Sequence, residues 1–319
     1  MKTLKLSIAL TLACILIASC SKNETEPIVE YSKTSPLIEK LTEVNSAYAE
    51  QAGPQTKGLW NFFKKVWTVV SADVAAAFEV VSADTEEFVK VATSNNPLQW
   101  TLYGLKTVPT VAGASKKAYK KGCGLEEPLP TYKSALLCMD YVANAIDAGN
   151  SLTNRNSAGI LGGGDLEYDE ESVDMAVPLE YAWTLDLANG HNVGLDFFLE
   201  DEGEESIDED TISELSETYG LDLKTYEKMN SVLTGIGYKM DYSVFFDSKN
   251  LAENVLILYS QLYEQVNSFE DITTITEQYI DIVYKSDELT EEEKAALISA
   301  LSVSVYSSRY WKDVISATE

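Results

Sequence analysis

His191 is the only histidine in the chain, so any imidazole chemistry must use it. It stands in "ANGHNVGLDFF". A His-Glu-x-x-His zinc site needs two such rings and is excluded. A Ser-His-Asp triad would have to be built on His191, and no Gly-x-Ser-x-Gly elbow accompanies it. A lone histidine near a helix start reads first as a cap or packing residue. No Cys-x-x-Cys pair exists, and "GILGGGDL" lacks the Gly-Lys-Ser/Thr ending of a phosphate loop. These residues name no catalytic set, no cofactor and no metal, and they weigh against an enzyme.

Carboxylates are the remaining chemistry. "VVSAD" occurs twice and places Asp73 and Asp84 eleven positions apart. On one helix they lie about 20° apart in azimuth and about 16 Å apart along the axis. A glycosidase pair needs about 5 to 9.5 Å, so these two are not such a pair. Both fall on an apolar face, where a carboxylate needs a cation or hydrogen-bond donors. A lysine from "KTVPTVAGASKKAYKKG" is one expected partner for Asp73. Asp84 with Glu87 has the pattern of a new helix cap. "DLEYDEE" spaces Asp165, Glu167, Asp169 and Glu171 as a calcium ion could use, but Glu170 stands where an EF-hand needs glycine. Tyr181, Trp183, Tyr310 and Trp311 suit sugar stacking by type, or a core by spacing.

The elements that must position these residues read as helices. Ser35-Pro36 opens one that Gly53-Pro54 stops. A second runs over residues 59–93, and a third over 97–122 with a break expected at Pro109. A fourth follows Thr131. Residues 150–178 are rich in Gly, Asn, Ser and acids and read as a linker or long loop. A short helix is expected from about His191. Eight of the 11 residues from 200 to 210 are acidic, the pattern of a solvated turn. Thr290 and Glu293 form a capping box before "KAALISALSVSVYSSRYW". No strand alternation is sustained. The fold expected is all-α, a multi-helix bundle, as one body or as two helical lobes, 35–149 and an acidic 179–319.

The helix at 59–82 raises a second question. Its apolar residues fill roughly half the circumference, as for a helix packed into a core. A membrane-surface helix has the same arc, with more cations opposite it. Lys64 and Lys65 are followed by acids, so core is favoured. Trp60, Phe63 and Trp67, with Lys116, Lys117, Lys120 and Lys121 on one side of the third helix, are the candidates for membrane or partner contact.

Lys2 and Lys5 precede an uncharged run of 14 residues, 6–19, too short to span a bilayer, which takes about 20. "LIASC" ends it. This arrangement resembles the signal peptide and lipobox of bacterial lipoproteins: residues 1–19 would be removed and Cys20 acylated. With two or more acyl chains such an anchor is stable. Polar, acidic residues 20–34 then form a flexible tether. They also resemble the tags of Bacteroidetes lipoproteins exported to the cell surface. Cys14 would leave with the signal. Cys123 and Cys138 would remain in an oxidising compartment, either as a disulfide or with Cys138 as a buried small residue.

Residues 20–149 carry 13 basic and 15 acidic side chains, and residues 150–319 carry 9 and 36. The second half therefore repels phosphate backbones and anionic lipid, which argues against a nucleic-acid partner. "WNFFKKVWTVVSADVAAA", "HNVGLD" (His191, Asn192, Leu195, Asp196) and "YSSRYW" (Tyr306, Ser307, Tyr310, Trp311) together resemble uncharacterised exported lipoproteins of Bacteroidetes. That resemblance implies an outer-membrane, cell-envelope location and no activity. Three functions are carried forward. The first is a lipid-anchored protein that binds a protein or glycan, with the membrane as its other partner. The second is a toxin-like protein acting on membranes through helix 59–82. The third is a glycan-directed enzyme whose carboxylates the sequence does not pair.

Overall fold

In a computed structural model, residues 35–52, 57–83, 97–147, 175–200, 207–235 and 241–318 are described. They fold as α1 (Pro36–Gln51), α2 (Lys57–Ala83), α3 (Pro97–Gly122), α4 (Tyr132–Asp147), α5 (Trp183–Glu200), α6 (Glu209–Tyr219), α7 (Leu223–Ser231), α8 (Tyr242–Phe245), α9 (Leu251–Tyr263), α10 (Phe269–Tyr284) and α11 (Glu291–Thr318). No strand occurs among the described residues, so the fold is an all-α bundle.

Four long helices form the centre. α2 packs on α11 and α3, α5 packs on α3 and α11, and the ring closes. α1, α9 and α10 cover the α11 side, while α4 and α6 cover α3 and α5. Residues 36–319 are one compact unit. The stretch at 150–178 therefore does not divide two lobes: α2 and α3, before it, interlock with α5 and α11, after it. Each helix buries an apolar stripe, and the stripes of α2 and α3 are covered by helices from beyond residue 178.

Local chemistry sets the ends. Asp208 and Asp222 cap α6 and α7 by accepting the amides of Thr211 and Thr225, so part of the acidic 200–210 run does capping work. At α11 the expected box forms: Thr290 N donates to Glu293 Oε2 at 2.8 Å, and Glu293 N donates to Thr290 Oγ1 at 3.2 Å.

Two expectations are corrected. α3 runs through Pro109 without a break. Pro109 is buried in the bundle, and packing on neighbouring helices outweighs the lost backbone hydrogen bond. α5 begins at Trp183, eight residues before His191. Gly190 and Gly194 look like breakers but lie inside it. A Cβ at Gly194 would meet Val108 Cγ1 at 2.7 Å and Cys138 Sγ at 3.3 Å, so glycine lets α5 lie against α3 and α4. The contact offsets glycine's helix cost of about 1 kcal/mol.

Candidate functional site

Asp73 lies between Val70 and Val74 on the apolar face of α2, and its side chain is fully buried. The other three central helices each aim polar atoms at it. From α3, Ser115 Oγ donates to Asp73 Oδ2 at 2.9 Å. From α11, Ser307 Oγ donates to the same oxygen, and Trp311 Nε1 donates to Ser115 Oγ at 2.9 Å. From α5, His191 Nε2 stands 3.2 Å from Asp73 Oδ1. That separation is an ion-pair distance, although its angle falls outside hydrogen-bond geometry.

The ring is held from its far side. His191 Nδ1 lies 3.1 Å from Asn192 Oδ1, and Asn192 Nδ2 donates to the Tyr306 carbonyl at 3.1 Å. That second bond fixes which way the amide points, so both imidazole nitrogens face acceptors. One turn further along α5, Asp196 Oδ1 accepts from Tyr310 Oη at 2.8 Å. Asn192 and Asp196 thus meet Tyr306 and Tyr310 at the half-buried edge, while His191 and Ser307 face Asp73 inside, so the three stretches of the lipoprotein resemblance lie side by side.

The cluster cannot work as a hydrolytic triad. Both serines donate to the carboxylate, and the imidazole faces the carboxylate rather than a serine. Asp73, Ser115, His191, Ser307 and Trp311 are all sealed from solvent. The arrangement holds one carboxylate in a low-dielectric interior through hydroxyl donors and an imidazole. On α8, Tyr242 donates to the Ser71 carbonyl at 2.6 Å. Burial, then the charge of Asp73, pushes the Tyr242 phenol well above its ordinary value.

Asp73 was expected to find a cation in the 106–122 stretch. It finds Ser115 there instead, and the imidazole nearest to it comes from α5. Lys116 pairs outward with Glu127 at 2.9 Å and lies 5.9 Å from the Phe198 ring centre. Lys117 and Lys120 are half-buried and Lys121 is exposed. Lys120 and Lys121 occupy the last turn of α3, where cations favour the helix dipole. Sequence reasoning missed Ser115 and Tyr242. The available signal for this polar interior was the run of serines along α11, of which Ser299, Ser302, Ser304, Ser307 and Ser308 are all buried.

Phe63 and Trp67 are core residues. The Phe63 ring packs 4.9 Å from Phe269, and Trp67 stacks on Tyr263 at 4.2 Å. The backbone of Trp60 belongs to α2. Cys123 and Cys138 are free thiols rather than a disulfide: Cys123 is exposed beyond α3, while Cys138 faces inward from α4. Burial pushes the Cys138 thiol far above its ordinary value. Tyr181, Trp183 and Trp311 are buried and offer no sugar-stacking surface.

Carboxylates do meet aromatic rings on the surface. Tyr284 donates to Glu180 and Tyr181 donates to Glu291, each at 2.8 Å. Hydrogen bonds hold both carboxyls below their usual range, from a backbone amide and Tyr284 at Glu180, and from Lys294 and Tyr181 at Glu291. Neither has the raised value of a general acid. Among the described residues, no three His, Cys, Asp or Glu side chains gather as a metal site. Cys20, the 20–34 tether, Asp84 and the 165–171 acids lie outside the described residues.

No family model matches this chain, and no curated protein or solved structure matches it significantly.

Proposed function

We propose that the chain is a lipid-anchored envelope protein, acylated at Cys20 and exported to the outer membrane, whose work is binding rather than catalysis. One observation carries the choice: Phe63 and Trp67, the residues a membrane-acting helix would present, are packed against Phe269 and Tyr263 inside the bundle. The buried Asp73 cluster is equally inaccessible to a substrate. What remains for a partner among the described residues is the exterior, where Asp208, Glu209, Asp210, Glu214 and Glu217 are exposed. Such a surface favours basic or neutral polar ligands, a protein or a glycan, and disfavours nucleic acid.

The test has two arms. Labelled palmitate fed to cells should enter the protein and be lost in Cys20→Ala; unchanged labelling would remove the anchor. The chain from residue 21 should bind a soluble glycan or a basic protein in calorimetry, without turnover. Cleavage of a glycan on incubation would instead make it an enzyme.

A further inference from the structure

We propose that the Asp73 cluster is a latch on a second activity: acid conditions release α2 from the bundle into an anionic bilayer. Residues Asn61–Ala83 form a helix of 23 residues, long and apolar enough to cross a membrane, and now mostly buried by the rest of the chain. Its last 18 residues, 66–83, carry two charges, Asp73 and Glu79, and no base. Lys64 and Lys65 stand just before them, placed to reach a headgroup layer. Asp73 sits near the middle of the helix, the most costly depth for a charge in lipid.

In the bundle that cost is removed by the three neighbouring helices. The titratable groups facing Asp73 are His191 from α5 and Tyr242 from α8, while α3 and α11 present Ser115, Ser307 and Trp311. Protonating Asp73 therefore does two things together. It takes away the carboxylate that Ser115, Ser307 and His191 surround, and it removes the main obstacle to burying α2 in hydrocarbon. Glu79 is half-buried beside Glu253 and is neutralised in the same direction. Acid also discharges the carboxylates of residues 150–319, which hold the protein off anionic lipid at neutral pH.

The probe is a phosphatidylglycerol vesicle loaded with a self-quenched dye, mixed with the chain from residue 21, which contains the whole compact unit. At pH 7.4 the dye should stay inside. Lowering the pH toward 4 should release it, with tryptophan emission quenched by brominated lipid and the quenching reduced in Trp67→Phe. Asp73→Asn should release dye at least tenfold faster at pH 5.5. Glu79→Lys keeps a charge on α2 at every pH and can pair with Glu253 in the folded bundle, so it should fold normally and leak little at pH 4. No acid leakage from the wild type overturns the proposal, and so does full leakage from Glu79→Lys. Neither result touches the binding function proposed above, which rests on the bundle at neutral pH.

Discussion

His191 Nε2 stands 3.2 Å from Asp73 Oδ1, and neither side chain has any exposed surface. The two residues come from α5 and α2, on opposite sides of the 150–178 stretch, so their contact ties the two halves of the chain into one core. Removing His191 leaves Asp73 Oδ1 buried with nothing facing it while Oδ2 keeps its two serine donors, and an unsatisfied buried polar atom costs about 1–3 kcal/mol. His191→Leu should lose stability of that order in urea unfolding. Replacing Asp73 and His191 together by apolar residues of similar volume should recover most of it. A loss below about 1 kcal/mol for the single change would show that the pair does not hold the bundle.

Gly194 tests how closely α5 must approach its neighbours. Alanine is the better helix former by about 1 kcal/mol. Its Cβ would meet Val108 Cγ1 at 2.7 Å, however, and overpacking costs about 1–3 kcal/mol. Gly194→Ala should therefore destabilise the protein, and Gly194→Val more so. A rise in Tm for Gly194→Ala would place α5 further from α3.

Asp186, in the first turn of α5, gives a pH dependence of known sign. Burial raises its carboxyl above the ordinary value, so the folded chain holds that proton more tightly than the unfolded chain does. Its favourable contribution is complete below the unfolded pKa, about 3.9, and is lost as pH rises through the folded value. Asp186→Asn should thus raise Tm at pH 7, with a gain that shrinks toward pH 3. A variant less stable than wild type at pH 7 would point to a favourable partner for the carboxylate.

The two thiols should differ in reactivity. Cys123 is exposed, whereas Cys138 is buried with its thiol pushed up. In the chain from residue 21, an aromatic disulfide reagent should titrate one thiol in the native state and two in urea. No free thiol in either state would mean that the residues pair as a disulfide.

Much of this organisation was legible in the residues. Helical periodicity and the Thr290–Glu293 box identify the class and the start of α11. The azimuth of Asp73 shows a carboxylate on an apolar face that must find donors. Its partners were not legible. Which helices surround α2 depends on long-range packing, and Ser115 carries no signal beside Lys116 and Lys117. The start of α5 at Trp183 was not legible either, since Gly190 lies inside the helix although glycine is a poor helix former, and Gly194 is used for close approach to α3 and α4. Pro109 misleads for the same reason: propensity describes the lone helix, and the bundle overrides it.

The central claim is that α2 is core at neutral pH. Tryptophan emission of the chain from residue 21 tests it most directly, read as the difference between wild type and Trp67→Phe, with and without neutral and anionic vesicles at pH 7.4. The account predicts a blue-shifted Trp67 component in buffer that vesicles of either kind leave unchanged. A red-shifted Trp67 that moves to the blue only when lipid is added, with dye leakage alongside, would contradict it.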